Sequence, residues 1–149
     1  MAVDVSTRIV IERSVSLVFS YAADPSNATE WYVNIKAVEW ETPPPLSVGS
    51  RVRFVAESLG RRIAYTYEIR ELKKDTSLVM TTAEGPFPME TSYQFAVMGP
   101  DQTEMTLRNR GTPTGFSTVI APFIGAAMRH ANRKDLRRLK RRIEERFRA

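Results

Sequence analysis

The chain has 149 residues, 42% of them apolar and 26% charged, the makeup of an ordinary globular protein, so one domain spans 1–149 and disordered, coiled-coil or collagen-like chains are excluded. Zero cysteines rule out disulfides, thiolate metal sites and cysteine nucleophiles, and a single histidine rules out any metal site or proton relay built on two imidazoles. The net charge is +5, and the absence of a long apolar run or a signal-peptide pattern points to the cytoplasm.

Residues 3–11 place Val3, Val5, Thr7, Ile9 and Ile11 on alternate positions, the period of a strand with one buried face. Ser14 stands before Val15, Leu17, Val18, Phe19 and Ala22 as the N-cap of a short helix that Asp24-Pro25 ends. A second short helix is expected from about Pro25 to Tyr32. Strands follow, separated by turn residues. Lys36–Glu41 is closed by Thr42-Pro43-Pro44-Pro45, and Val52, Phe54 and Ala56 alternate with charged neighbours. Gly60 turns the chain into Ile63, Tyr65, Tyr67 and Ile69. Leu78, Met80 and Thr82 form the next face, Met89, Thr91, Tyr93, Phe95 and Val97 another, and Met105, Leu107 and Asn109 the last. Connections of hairpin length imply an antiparallel meander.

After Gly111 the period changes. Phe116, Ile120, Phe123, Ile124, Ala127, Met128, Ala131, Leu136, Leu139, Ile143 and Phe147 recur at three or four residues, an amphipathic helix laid on the sheet. Pro122 either sits in the first turn or bends the helix, so a regular helix is expected from near Pro122, with Phe116–Ala121 a looser turn. Residues 129–149 carry ten Lys or Arg against Asp135, Glu144 and Glu145, a local charge of +7 that leaves −2 for residues 1–128. Such a helix can attract phosphate backbones or anionic lipid. Cations also complement a helix C-terminus, and neither interleaved aromatics nor a nucleic-acid motif accompany them, so a solvated face is the stronger reading.

In this order of elements the chain resembles the START-like superfamily, also called SRPBCC, with its polyketide cyclase/dehydrase-type domains. The resemblance spans the whole chain and is carried by Ile9–Ile11 before Ser14-Val15 and Val18-Phe19, by Asp24-Pro25 up to Trp31, and by Val48-Gly49. It continues in Tyr93-Gln94-Phe95, Thr106-Leu107, and Leu136, Leu139, Lys140 and Glu144. The resemblance implies an α+β helix-grip fold: two short helices after strand one, and a curved antiparallel sheet of about seven strands wrapped on the long C-terminal helix, with a hydrophobic cavity between. Members bind lipids, sterols, polyketides and plant hormones, and a minority are aromatase/cyclases or other enzymes.

Alternation adds a chemical detail. The face turned to the helix is apolar but carries tyrosines, threonines and Asn109, and a buried phenol or amide without a partner costs about 1–3 kcal/mol, so these groups call for partners or a ligand. The candidate ligand-binding residues are Trp31, either a lid or wall of the mouth or a core plug under the short helices, with Phe54, Tyr65, Tyr67, Met80, Tyr93 and Asn109 on the sheet and Phe123 and Met128 on the helix. Gly85-Pro86-Phe87-Pro88 and Gly111-Thr112-Pro113-Thr114-Gly115-Phe116 read as loops at the mouth.

Dedicated catalytic chemistry is sparse. His130 stands alone between Arg129 and Arg133, no nucleophile elbow or phosphate loop occurs, and Glu57, Glu68, Glu90, Arg108 and Arg110 fall on the polar face. No catalytic residue, metal or cofactor is assigned. The leading expectation is binding or transport of a small hydrophobic ligand, such as a lipid, polyketide, or other aromatic or isoprenoid molecule, by a monomer or homodimer. The first rival is a polyketide cyclase/dehydratase using Tyr65, Tyr67, Tyr93 and Asn109 as polarising donors. The second is an interaction protein whose basic helix meets nucleic acid or membrane.

Overall fold

A computed structural model describes residues 3–58, 60–84, 88–111 and 117–148, with side chains omitted for Ser58 and residues 117–124. Seven strands, β1 (Val3–Ile11), β2 (Ile35–Trp40), β3 (Arg51–Ser58), β4 (Arg61–Lys73), β5 (Ser77–Glu84), β6 (Met89–Gly99) and β7 (Gln102–Gly111), form one antiparallel sheet in the order β1-β7-β6-β5-β4-β3-β2. Between β1 and β2 lie α1 (Val15–Ala22), a 3₁₀ turn over Pro25–Asn27, and α2 (Ala28–Trp31); α3 (Ser117–Arg146) closes the chain. This is the helix-grip fold. Among the described residues no helix is long and apolar enough to cross a membrane.

Local chemistry explains most boundaries. Ser14 occupies the N-cap of α1 with extended backbone angles, although its hydroxyl makes no capping bond. The expected single helix from Pro25 to Tyr32 is instead two pieces, because Asp24 accepts from Ser26 N and winds a tight 3₁₀ turn before α2 begins. Gly60 turns β3 into β4 at φ +75°, a value that side-chain-bearing residues rarely adopt. The terminal helix starts at Ser117, upstream of Pro122, so residues 117–121 of the expected looser turn belong to the helix, and Phe116 lies outside the described residues. Proline there removes one backbone donor, and the helix runs continuously through it.

The concave face holds the core. Leu136, Leu139 and Ile143 of α3 are buried against a cluster with Ile11, Val18, Trp31, Val52, Ile69, Leu78, Met105 and Leu107. The C-terminal end of α3 is fastened to the β1–α1 corner. Lys140 Nζ donates to the Val10 carbonyl (2.9 Å), Glu144 accepts from Glu12 N (2.9 Å), and the Arg13 guanidinium donates to the carbonyls of Glu144 and Phe147. Those carbonyls lack intrahelical partners, and a cation beside them also offsets the helix dipole. The opposite sheet face carries cross-strand ion pairs, Arg51–Glu68, Arg53–Glu39, Arg108–Asp4 and Arg110–Glu90, which are solvated and contribute little to stability.

Bulges adjust which side chains look inward. The β3–β4 register runs unbroken from Arg51↔Glu68 to Ser58↔Arg61, so Tyr65 stays opposite Phe54 and Tyr67 opposite Val52. A shift between Ile69 and Glu71 against β5 then reverses the parity, and Leu72 packs on the core where strict alternation would have put Glu71.

Candidate functional site

Between Met128 and Asp135, α3 leaves a gap over the sheet. The inward positions Met128, Asn132, Asp135 and Leu139 are separated by three or four residues, so they lie on one helix face. Leu139 is fully buried, whereas Ala131 and Asn132 are too short to reach the opposing strands. A cavity of about 210 Å³ remains, lined by Tyr32, Asn34 and Ile35 after α2, Phe54 and Ala56 of β3, Tyr65 and Tyr67 of β4, and Met80 of β5. Met89 and Thr91 of β6, Asn109 of β7, and Met128, Ala131, Asn132 and Asp135 of α3 complete the described lining. Cavities of about 150 Å³ hold benzene and drug-sized pockets start near about 300 Å³, so this space suits a molecule of one or two rings.

Two hydrogen-bonded groups organise the polar atoms. Thr91 Oγ1 lies 2.7 Å from Asn109 Oδ1 and 3.2 Å from the Tyr67 hydroxyl. A threonine has one proton to give; donated to Asn109 Oδ1, it leaves the Tyr67 hydroxyl to donate in turn to Thr91. Asn109 is thereby held by its oxygen, and its Nδ2 makes no hydrogen bond with the described residues. The second group is the hydroxyl pair of Tyr32 and Tyr93. Burial raises the pKa of all four phenols: Tyr67 to about 12, and Tyr65, Tyr32 and Tyr93 also upward. They are neutral hydrogen-bonding groups, not bases.

Asp135 differs from them. It is 6% exposed, Oδ1 accepts from Val33 N at 2.9 Å, and Oδ2 takes no hydrogen bond from the described residues. Desolvation lifts its pKa to about 6, against the lowering effects of the Val33 hydrogen bond and of Arg138 and Lys134. One turn away, Asn132 is 5% exposed and its Nδ2 is a buried donor without a partner among the described residues.

The structure therefore brings Phe54, Tyr65, Tyr67, Met80, Asn109 and Met128 to one cavity. Two expected members lie behind it. Trp31 is fully buried, stacked on Tyr32 at 3.9 Å between ring centroids and edge-on to Tyr93 at 5.7 Å, so it is a core plug and not a lid. The reason is that α2 ends at Trp31, which drives the indole under the sheet while Tyr32 takes the wall. Tyr93 spends its hydroxyl on Tyr32 and does not join the lining. The side chain of Phe123, and residues 85–87 and 112–116 of the expected mouth loops, lie outside the described residues. Sequence reasoning missed Tyr32, Asn132 and Asp135. For the helix pair a signal existed: polar residues at two positions of an apolar stripe that runs from Met128 to Ile143.

Outside the cavity, Lys134, Arg137, Arg138, Arg141 and Arg142 line an open surface groove with Val33 and Glu145. His130 is exposed on the same helix.

A family model described as polyketide cyclase/dehydrase and lipid transport matches residues 2–145. The chain belongs to this START-like (SRPBCC) family. No curated protein sequence matches it. Among solved structures, it is similar to the protein TTHA0849 from Thermus thermophilus, with a TM-score of 0.84 and 18% identity over 97% of this chain and 99% of that one. A START superfamily protein from Mycobacterium smegmatis gives 0.80 and 16% over 95% and 97%. The Zhui aromatase/cyclase from Streptomyces sp. R1128 gives 0.83 and 16% over 100% and 98%. At such identities these likenesses establish the fold, and a family that includes both binders and cyclases leaves the choice to the chemistry of the cavity.

Proposed function

We propose that this family member binds a small, mostly apolar molecule of one or two rings between the sheet and α3. The observation that carries the reading is the lining itself: Phe54, Ile35, Met80, Met89 and Met128 supply an apolar surface, and Tyr65, Asn109, Asn132 and Asp135 set a few polar atoms into it. A self-sufficient core would place leucine or isoleucine at those polar positions. The methionines fit ligands of varied outline, because an unbranched thioether repacks at low cost.

The test is calorimetric titration of the full chain with naphthalene, beside a variant in which Ala56→Phe projects a ring into the cavity. Saturable binding by the wild type, weakened at least about tenfold in Ala56→Phe, is expected. Equal binding by both proteins, or no binding by either of naphthalene or of its hydroxyl and carboxyl derivatives, overturns the reading.

One observation favours a cyclase as the second reading. Asn109 is anchored through Oδ1 by Thr91, which leaves Nδ2 as an oriented donor able to polarise a substrate carbonyl without reorganising. Turnover of a linear polyketide that is lost in Asn109→Leu while naphthalene binding persists would establish it.

A further inference from the structure

On the ligand-cavity reading above, the lining contains a mismatch that the protein does not resolve internally. Asn132 Nδ2 is a buried donor without an acceptor among the described residues, and Asp135 Oδ2 is an acceptor to which none of them donates. Both residues are more than nine-tenths buried, line the cavity and stand three residues apart on α3. Residues so spaced hold their Cβ atoms about 5–6 Å apart, a gap that one oxygen at hydrogen-bonding distance from each side chain can bridge.

We propose that Asn132 and Asp135 form a donor–acceptor clamp for a ligand hydroxyl, so that the cavity selects small aromatic or alicyclic alcohols and phenols over hydrocarbons and carboxylates of the same shape. A hydroxyl answers both residues at once, because it accepts from the amide and donates to the carboxylate. A carboxylate answers Asn132 but meets Asp135 with like charge, and a hydrocarbon leaves both groups unpaired. Electrostatic support for an ionised Asp135 comes from Arg138 and Lys134 on its own helix and from the Val33 backbone N–H on the facing segment. The neighbouring phenols, Tyr32, Tyr67 and Tyr93, remain neutral and do not compete for the charge.

Three probes of one shape separate the possibilities: 2-naphthol, naphthalene and 2-naphthoate, titrated calorimetrically into the full chain near about pH 7.5, where the naphthol is neutral and the naphthoate ionised. The expected result is a 2-naphthol affinity at least about tenfold above both others, the scale of one charge-assisted hydrogen bond. Asn132→Leu and Asp135→Asn should each cut the naphthol-over-naphthalene preference, measured as a ratio within each variant, to within about twofold. An unchanged far-ultraviolet circular dichroism spectrum and a cooperative urea transition report that each variant is folded. If the wild type binds naphthalene or naphthoate as tightly as naphthol, or if both variants keep the preference, the clamp is overturned and the cavity stands. If none of the three probes binds, the cavity reading falls together with the clamp.

Discussion

Replacing Asp135 by asparagine should stabilise the protein at neutral pH, against the usual expectation for a buried polar residue with a backbone hydrogen bond. Asn Oδ1 can still accept from Val33 N, so the bond survives and the charge is removed. In the folded chain the Asp135 carboxyl sits at about 6, raised by desolvation from an ordinary value of 3.8. Because the folded-state value is the higher one, the folded protein keeps its proton through a range in which the unfolded chain has already released it. This contribution to stability is therefore largest below about pH 4 and is lost as the pH climbs to about 6. At about 1.4 kcal/mol per unit of displacement, the loss amounts to about 3 kcal/mol once both states are ionised. Urea unfolding followed by tryptophan fluorescence should give equal stabilities for wild type and Asp135→Asn near about pH 4, and a gap growing to about 3 kcal/mol in favour of the variant near about pH 7.5. A variant that is less stable at neutral pH, or a gap that does not change with pH, would refute the argument. A chain that retains so unfavourable a carboxylate in its cavity wall is consistent with Asp135 serving the ligand and not the fold.

Two further outcomes separate core from network. Phe95→Ala removes a buried ring packed edge-on to Phe19 at 5.2 Å and should cost about 3–5 kcal/mol in urea unfolding. Tyr93→Phe strips the Tyr32 hydroxyl of its partner, so it should cost about 1–3 kcal/mol while leaving naphthalene affinity nearly unchanged; a marked loss of binding would return Tyr93 to the site.

The elements of this fold were legible because each is stated locally. Alternation in Ile63–Ile69 and the three-or-four spacing of Leu136, Leu139 and Ile143 follow from backbone geometry, and proline and glycine mark the breaks. The order of those elements sufficed for the family resemblance, and the inward set Phe54, Tyr65, Tyr67, Met80 and Asn109 followed from period two, since the β3–β4 register has no bulge there. What alternation could not supply was depth. Trp31 and Tyr32 are adjacent in the chain, yet one is a fully buried plug and the other a cavity wall, and the end of α2 determines which is which. Likewise, Tyr93 shares a face with Thr91, but its hydroxyl is spent on Tyr32, a pairing across 61 residues.

By itself the sequence determined composition, period and order, and with them a curved antiparallel sheet gripping an amphipathic helix. Tertiary structure decided where that helix fails to fill the sheet and which polar atoms are left facing the gap, because hydrogen-bond satisfaction depends on partners that come together in space from α2, β6, β7 and α3. The stripe from Met128 to Ile143 marks Asn132 and Asp135 as facing inward, but only the folded arrangement shows that Asn132 Nδ2 is left without a partner among the described residues.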